Sequence, residues 1–292
     1  MELFMTVFSC KSDFDSMMTC IYEAWASRKG HSQVKLMPEP IYEQELFTEY
    51  IHVEADQNKS ESVVRSIMQK ISTQAYVWVY YASRSHEEDA LDTIYRFLVL
   101  GFHYGQQICD MLQNPVVIRM MELRRNVGNE SHYFREFLRF HSIDQQLYIA
   151  HIEPKNDVLV LVANHFAERM ISENWIIVDD SRNIAVIHPI NSEFYTRILT
   201  DEERSKLQET ENMEDRFVTL WKDYFQTIAI TERTNPVCQR NHIPIWMRKH
   251  VVVCIVVDGR SCFLFSCCGQ RASVVLLKGC FVTMKVLNRY GD

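Results

Sequence analysis

Helical apolar stripes and short strand-like runs follow one another in this chain without regular alternation, and that order narrows the fold more than any other feature. Thr6 to Cys10 reads as a strand. Behind it Phe14, Met17, Met18, Ile21, Tyr22 and Trp25 recur at helical spacing up to Arg28, with Asp13 or Asp15 available as cap. Pro38 and Pro40 mark a loop, and Asn58 or Ser60 opens a second stripe of Val63, Val64, Ile67 and Ile71.

Residues 87 to 112 and 115 to 140 predict two more helices, the second opening on Pro115, a favoured first-turn position, with Gly128 placed to kink or split it. Two hairpins follow. One pairs Phe137 to Phe140 with Leu147 to Ile152, the other Trp175 to Val178 with Ile184 to Ile187 around Asp180, Ser181, Arg182 and Asn183. A helix from Asp157 to Met170 lies between them, and an amphipathic helix over roughly 213 to 233 closes the body before Asn235 and Pro236. Helices flanking hairpins predict an α+β protein, helices packed around short antiparallel hairpins, rather than a doubly wound parallel sheet.

Size and charge limit the function classes. With 292 residues the chain is near the limit for one hydrophobic core, and 47% hydrophobic against 24% charged residues exclude a disordered chain. Apolar runs are broken by Asp258, Arg260 and Arg271 even where they are densest, so no membrane span is expected. The opening MELFMTVFSCKSDF lacks the basic-then-apolar pattern of a secretory signal, so a cytoplasmic location is expected. A net charge of −7 argues against coating nucleic acid through bulk charge, and any DNA contact must be local.

Composition breaks at Val251. The last 42 residues hold five of the nine cysteines, nine valines and only two acids, whereas residues 1 to 250 carry a net charge of −10. We therefore read residues 1–250 as a single large domain and 251–292 as an atypical Cys- and Val-rich tail. Cys254, Cys262, Cys267, Cys268 and Cys280 lack the paired spacing of zinc ribbons and the CxxxCxxC of radical SAM clusters, so no metal site or cofactor is expected. The break leads us to expect a shifted reading frame after about His250, which translating the encoding DNA in the other two frames checks.

The residues that can carry chemistry form three groups. His165 and Arg169 end the stripe Val158, Leu161, Val162, either as a hydrogen-bonded helix end or as a phosphate- or substrate-binding pair with His165 the candidate catalytic residue. Along RMMELRRNVGNESHYFREFLRF, Arg124 with Arg135 and Arg135 with Arg139 share a face if the helix passes through Gly128, beside Arg125. That row can neutralise phosphates or sit as a solvated face offset by Glu122, Glu130 and Glu136. Arg233 and Arg240, with Arg248, Lys249, Trp246 and Met247, form a segment without acids that suits a nucleic-acid strand or an acidic partner. Asp179 and Asp180 sit where a turn wants Asp and read as turn residues. No GxSxG, phosphate loop or HExxH is present.

The ordered stretches FDSMMTCIYEAWASRKGH, IYRFLVLGFHYG, ELRRNVGNESHYFREFLRF, IEPKNDVLVLVANHFAERM, WIIVDDSRNIAVIH and LWKDYFQTIAITERTNPVCQRNHIPIWMRKH span nearly all of residues 5 to 250. Together they resemble an uncharacterised bacterial family of DNA repair or DNA metabolism proteins, whose members are typically encoded beside a radical SAM protein also held to act on DNA. The resemblance implies a shared role on DNA and a radical SAM partner. It also makes Arg124, Glu130, His132, Phe137, Arg139, His165, Phe166, Arg169, Trp221, Arg233 and Pro244 candidate site residues. The expected function is an accessory DNA-repair or DNA-modification protein that binds DNA locally. The alternatives are an enzyme acting on a damaged base with His165 and Arg169 in its site, or an interaction subunit without DNA contact.

Overall fold

The computed structural model describes residues 5–43, 45–143 and 146–211, with scattered residues between 220 and 262. They divide into two compact units, residues 1–135 with 153–170, and residues 136–152 with 171–292. Most of the helix expected over 213–233, and Arg233 and Arg240 with it, lie outside the described residues. Of the tail, Val256–Val257 pairs antiparallel with Ser261–Cys262.

The first unit is built on strand β1 (Met5–Cys10), whose residues are buried from Thr6 onward. It lies between β2 (Val34–Pro38) and β3 (Thr48–His52), and all three strands are parallel, with Phe8 opposite both Leu36 and Ile51. A central strand flanked on both sides is buried along its length, and MTVFSC is one buried run in which the polar Thr6 and Ser9 sit among apolar residues. Neither β2 nor β3 shows such a run, and the sequence reading places a loop over the end of β2. Parallel pairing requires crossovers, here through helix α1 (Phe14–Ala26) and the loop from Glu39 to Phe47.

Local capping sets the helix starts. Asp13 accepts the Ser16 N–H at 2.9 Å at the start of α1, and Asp56 accepts those of Asn58 and Lys59 to open α2 (Gln57–Lys70). Ser72 accepts the Ala75 N–H and starts α3 (Thr73–Ala82), a helix absent from the sequence reading. Helix α4 (Ala90–Tyr104) passes into a 3-10 segment, Gly105–Asp110, within the stretch predicted as one helix to 112. Phe8, Met18, Ile21, Leu36, Ile67, Ile94, Phe97, Leu98 and Leu123 are buried in one core. At roughly 1.5–3 kcal/mol per fully buried large apolar side chain, this core dominates the unit's stability.

Helix α5 (Pro115–Phe137) opens with the Val116 N–H donated to Asn114 Oδ1 and runs unbroken through Gly128. It ends before Arg139, so Arg124 and Arg135 share a helical face while Arg135 and Arg139 do not. The first predicted hairpin shifts accordingly, because residues 137–140 are helix end and connection. Its strands are β4 (His141–Ile143) and β5 (Leu147–Ile152).

In the second unit five strands follow in the order β4-β5-β6-β7-β8, with β6 (Asn174–Asp179), β7 (Ile184–His188) and β8 (Tyr195–Ile198) completing the sheet. The predicted hairpin over 175–187 is present as β6 and β7. All neighbours are antiparallel except β5 and β6, which are parallel and therefore need a crossover, supplied by helix α6 (Leu159–Arg169). Helix α7 (Asp201–Glu211) follows β8. Helices with a parallel and a mixed sheet make the protein α+β, as its sequence predicts. No helix among the described residues is long and apolar enough to cross a membrane.

Candidate functional site

Helix α5 organises the first unit's polar chemistry from two faces. Its inner face buries Val117, Met120, Leu123, Val127, Phe134 and, among these apolar residues, the carboxylate of Glu130. A buried carboxylate is costly unless its oxygens are hydrogen-bonded. Glu130 meets that condition across 25 and 26 residues of sequence. Oε1 accepts the Lys155 N–H at 2.8 Å, while Oε2 accepts the Asn156 N–H at 2.9 Å and the Asn156 side-chain amide at 2.5 Å.

Asn156 extends this chain of contacts to a second loop. Its Oδ1 accepts the His86 backbone N–H at 3.1 Å and lies 3.0 Å from His86 Nδ1. Next to it, the Asp157 N–H donates to the Arg84 carbonyl at 2.9 Å and the Asp157 carboxylate pairs with the Arg84 guanidinium. Arg84 also lies over the Tyr80 ring, 5.1 Å from its centroid. Arg119 on α5 meets Glu87 and Asp89 of the same loop and Glu122 one turn on, and its hydrogen bond to Asp89 holds that carboxyl below its ordinary range.

The outer face of α5 carries two adjacent arginines among mostly uncharged residues. Arg124 and Arg125 are exposed, and among the described residues neither meets a carboxylate within 4.0 Å. Of the three acids set against them in the sequence reading, Glu122 faces Arg119 and Glu130 is buried on the loop, while Glu136 stays exposed near the end of α5. Arg135 is half-buried and donates from Nε to the Ser131 carbonyl at 3.3 Å, a contact that turns it back along its own helix.

The predicted site residues thus fall into separate groups. Arg124 and Arg125 are adjacent on α5, and Arg135 lies on the same helix about 16 Å further along. Arg139 belongs to the second unit, where its guanidinium donates to the Leu138 carbonyl at 3.1 Å. His165 and Arg169 lie on α6, His165 half-buried and edge-on to Phe166 at 5.2 Å, Arg169 exposed at the helix end. Arg233 and Arg240 are outside the described residues.

Sequence reasoning missed His86, Asn156 and Asp157 as site residues, because their link to Glu130 spans residues far apart in the chain. It also set Asp180 aside. Asp179 does close the turn, accepting the N–H groups of Ser181 and Arg182 at 2.9 and 3.2 Å. Burial pushes its carboxyl up, opposed by Arg182. Asp180 turns instead to His151, with Oδ2 3.0 Å from Nδ1, at the end of the parallel β5–β6 pair. Among the described residues no group of three or more His, Cys, Asp or Glu side chains could hold a metal ion.

Residues 88–252 match the family model of DUF4130, a domain of unknown function. The chain belongs to the DUF4130 family. The match takes in α4, α5, α6 and the five-stranded sheet, and therefore Glu130, Asn156, Asp157, Arg124 and Arg125, while Arg84 and His86 lie just ahead of its start. A search of curated proteins found no match.

Proposed function

We propose that this DUF4130 protein is an accessory DNA-repair or DNA-modification subunit that binds DNA locally through the outer face of α5 and acts with a radical SAM partner. The observation carrying the reading is the pair Arg124 and Arg125, exposed without a carboxylate partner among the described residues. By contrast Arg84, Arg96, Arg119, Arg182 and Arg197 are each paired with acids. Adjacent exposed guanidinium groups suit phosphate oxygens, which they meet with bidentate geometry. The radical SAM partner is supported by the resemblance of residues 5 to 250 to proteins encoded beside radical SAM genes, and DNA as the ligand is supported by the same resemblance.

Titration of a fluorescent single-stranded oligonucleotide with the full chain at rising salt tests the DNA contact. Binding is expected to weaken with salt. Replacing both Arg124 and Arg125 by alanine should lower the slope of log K against log salt by about 1.4, roughly 0.7 for each phosphate no longer neutralised. Absence of binding at low salt excludes the reading. Co-purification with the neighbouring radical SAM protein tests the partner.

A further inference from the structure

Helix α3, TQAYVWVYYA, carries no charged residue, and a helix that is apolar nearly all round is ordinarily covered on every side. This one is not. Ala75, Trp78, Val79 and Ala82 fill the core side, while Val77 is 37% exposed and Tyr76, Tyr80 and Tyr81 are half-buried. Offsets of one, four and five from Tyr76 put these four side chains on one outward face. Phe14 of α1 stands edge-on to Tyr76 and Tyr80, at 6.5 and 5.5 Å, and Arg84 lies over Tyr80. Tyr81 meets Tyr80 in edge-on geometry at 6.4 Å, and among the described residues no ring lies parallel to it.

The tyrosine face adjoins the arginines of α5, and the contact at Gly128 places it there. A Cβ built on Gly128 would lie 3.9 Å from Tyr81 Cε1, so the ring packs where α5 has no side chain. Gly128 follows Arg124 by four residues and Arg125 by three, the two spacings that make helical residues surface neighbours. Tyr81 is thus set against α5 one helical turn, about 5.4 Å, from the arginine pair. We infer that the α3 face is the base-binding half of the same site: unpaired bases of a single strand stack on Tyr81 while the adjoining phosphates meet Arg124 and Arg125. This rests on the nucleic-acid reading above and adds the strand state to it, because bases paired inside a duplex keep their faces from a surface ring. Aromatic rings bordered by cations hold a strand without reading its sequence, whereas an apolar protein segment on α3 would have no use for the arginines. The helix itself has no acid to repel a phosphate chain.

Binding to the full chain is compared for a single-stranded oligonucleotide, its duplex and an abasic strand of equal length. The base-bearing single strand should bind about tenfold more tightly than the abasic one, in the range of one stacked base, and more tightly than the duplex. Tyr81→Leu should remove that preference and leave abasic binding and its salt slope in place, while Tyr81→Phe keeps it; leucine still fills the space against Gly128, so its effect is not that of an emptied contact. A strand carrying 5-iodouracil should crosslink to Tyr81 on irradiation, and crosslinks that fall only outside α3 overturn the inference. Equal binding of base-bearing and abasic strands, tighter binding of the duplex, or an unchanged preference in Tyr81→Leu overturns the base site and leaves the phosphate contact standing. If Tyr81→Leu lowers co-purification with the radical SAM protein while the preference persists, the face docks protein and the inference fails. Binding of none of the three probes by the unaltered protein overturns the α5 reading as well.

Discussion

Glu130 and Asp179 are both buried carboxylates, one in each unit, and they are satisfied at very different sequence distances. Asp179 closes its own turn, with partners two and three residues ahead. Glu130 reaches 25 and 26 residues along the chain and, through Asn156, fixes a third segment 70 residues away. The second unit's buried charge therefore serves a local purpose that any hairpin needs. In the first unit the buried charge joins three segments that helix packing alone would not hold in register, and it ends on an exposed histidine. Long-range polar closure of this kind carries a large penalty if any member is removed, because each buried donor left behind keeps its full desolvation cost.

Removing Glu130 should break the comparison most visibly. Glu130→Ala leaves two backbone N–H groups and one amide without their acceptor, and a loss of about 3 kcal/mol in urea unfolding is expected. Glu130→Gln keeps one acceptor oxygen and should fall between. In Asp179→Ala the affected N–H groups lie in a turn near solvent, so roughly 1 kcal/mol is expected. A loss as large as that of Glu130→Ala would show that the two carboxylates are equivalent after all.

Acidity sharpens the same contrast. Since burial raises the Asp179 carboxyl above its unfolded value, the unfolded chain releases that proton first as pH rises. Stability from this group is therefore greatest below the ordinary carboxylate range and is lost as pH rises through the folded value. Urea midpoints measured across the acid range should show Asp179→Asn with a smaller decline than the unaltered protein, and an unchanged profile would remove burial as the cause.

The smallest effect concerns α5. A methyl group at Gly128 would touch only the Tyr81 ring, at 3.9 Å, an ordinary van der Waals contact. Gly128→Ala should therefore raise stability by about 0.5 to 1 kcal/mol through helix propensity. Destabilisation would mean that the helix needs flexibility where its arginine-bearing and buried faces meet.

Much of the fold was legible in the order of residues. Apolar spacing located α1, α2, α5 and α6, Asp13 marked the first cap, and the turn at Asp179 to Asn183 set the register of β6 and β7. Strands β2 and β3 and helix α3 escaped because their patterns are short or mixed. VKLMP and TEYIH carry little alternation, and α3 is apolar nearly all round, so its stripe does not stand out.

Sequence alone determined which side chains were charged and that Arg124 and Arg125 were neighbours on α5, because helical periodicity is a local property. Only the tertiary structure decided which of those charges had partners. Whether Glu130 offsets an arginine or receives two backbone amides depends on a loop 25 residues away, and whether His86 donates or accepts depends on which atom of Asn156 faces it. Such assignments follow from the requirement that every buried polar group find a partner, and that requirement acts on distances in space.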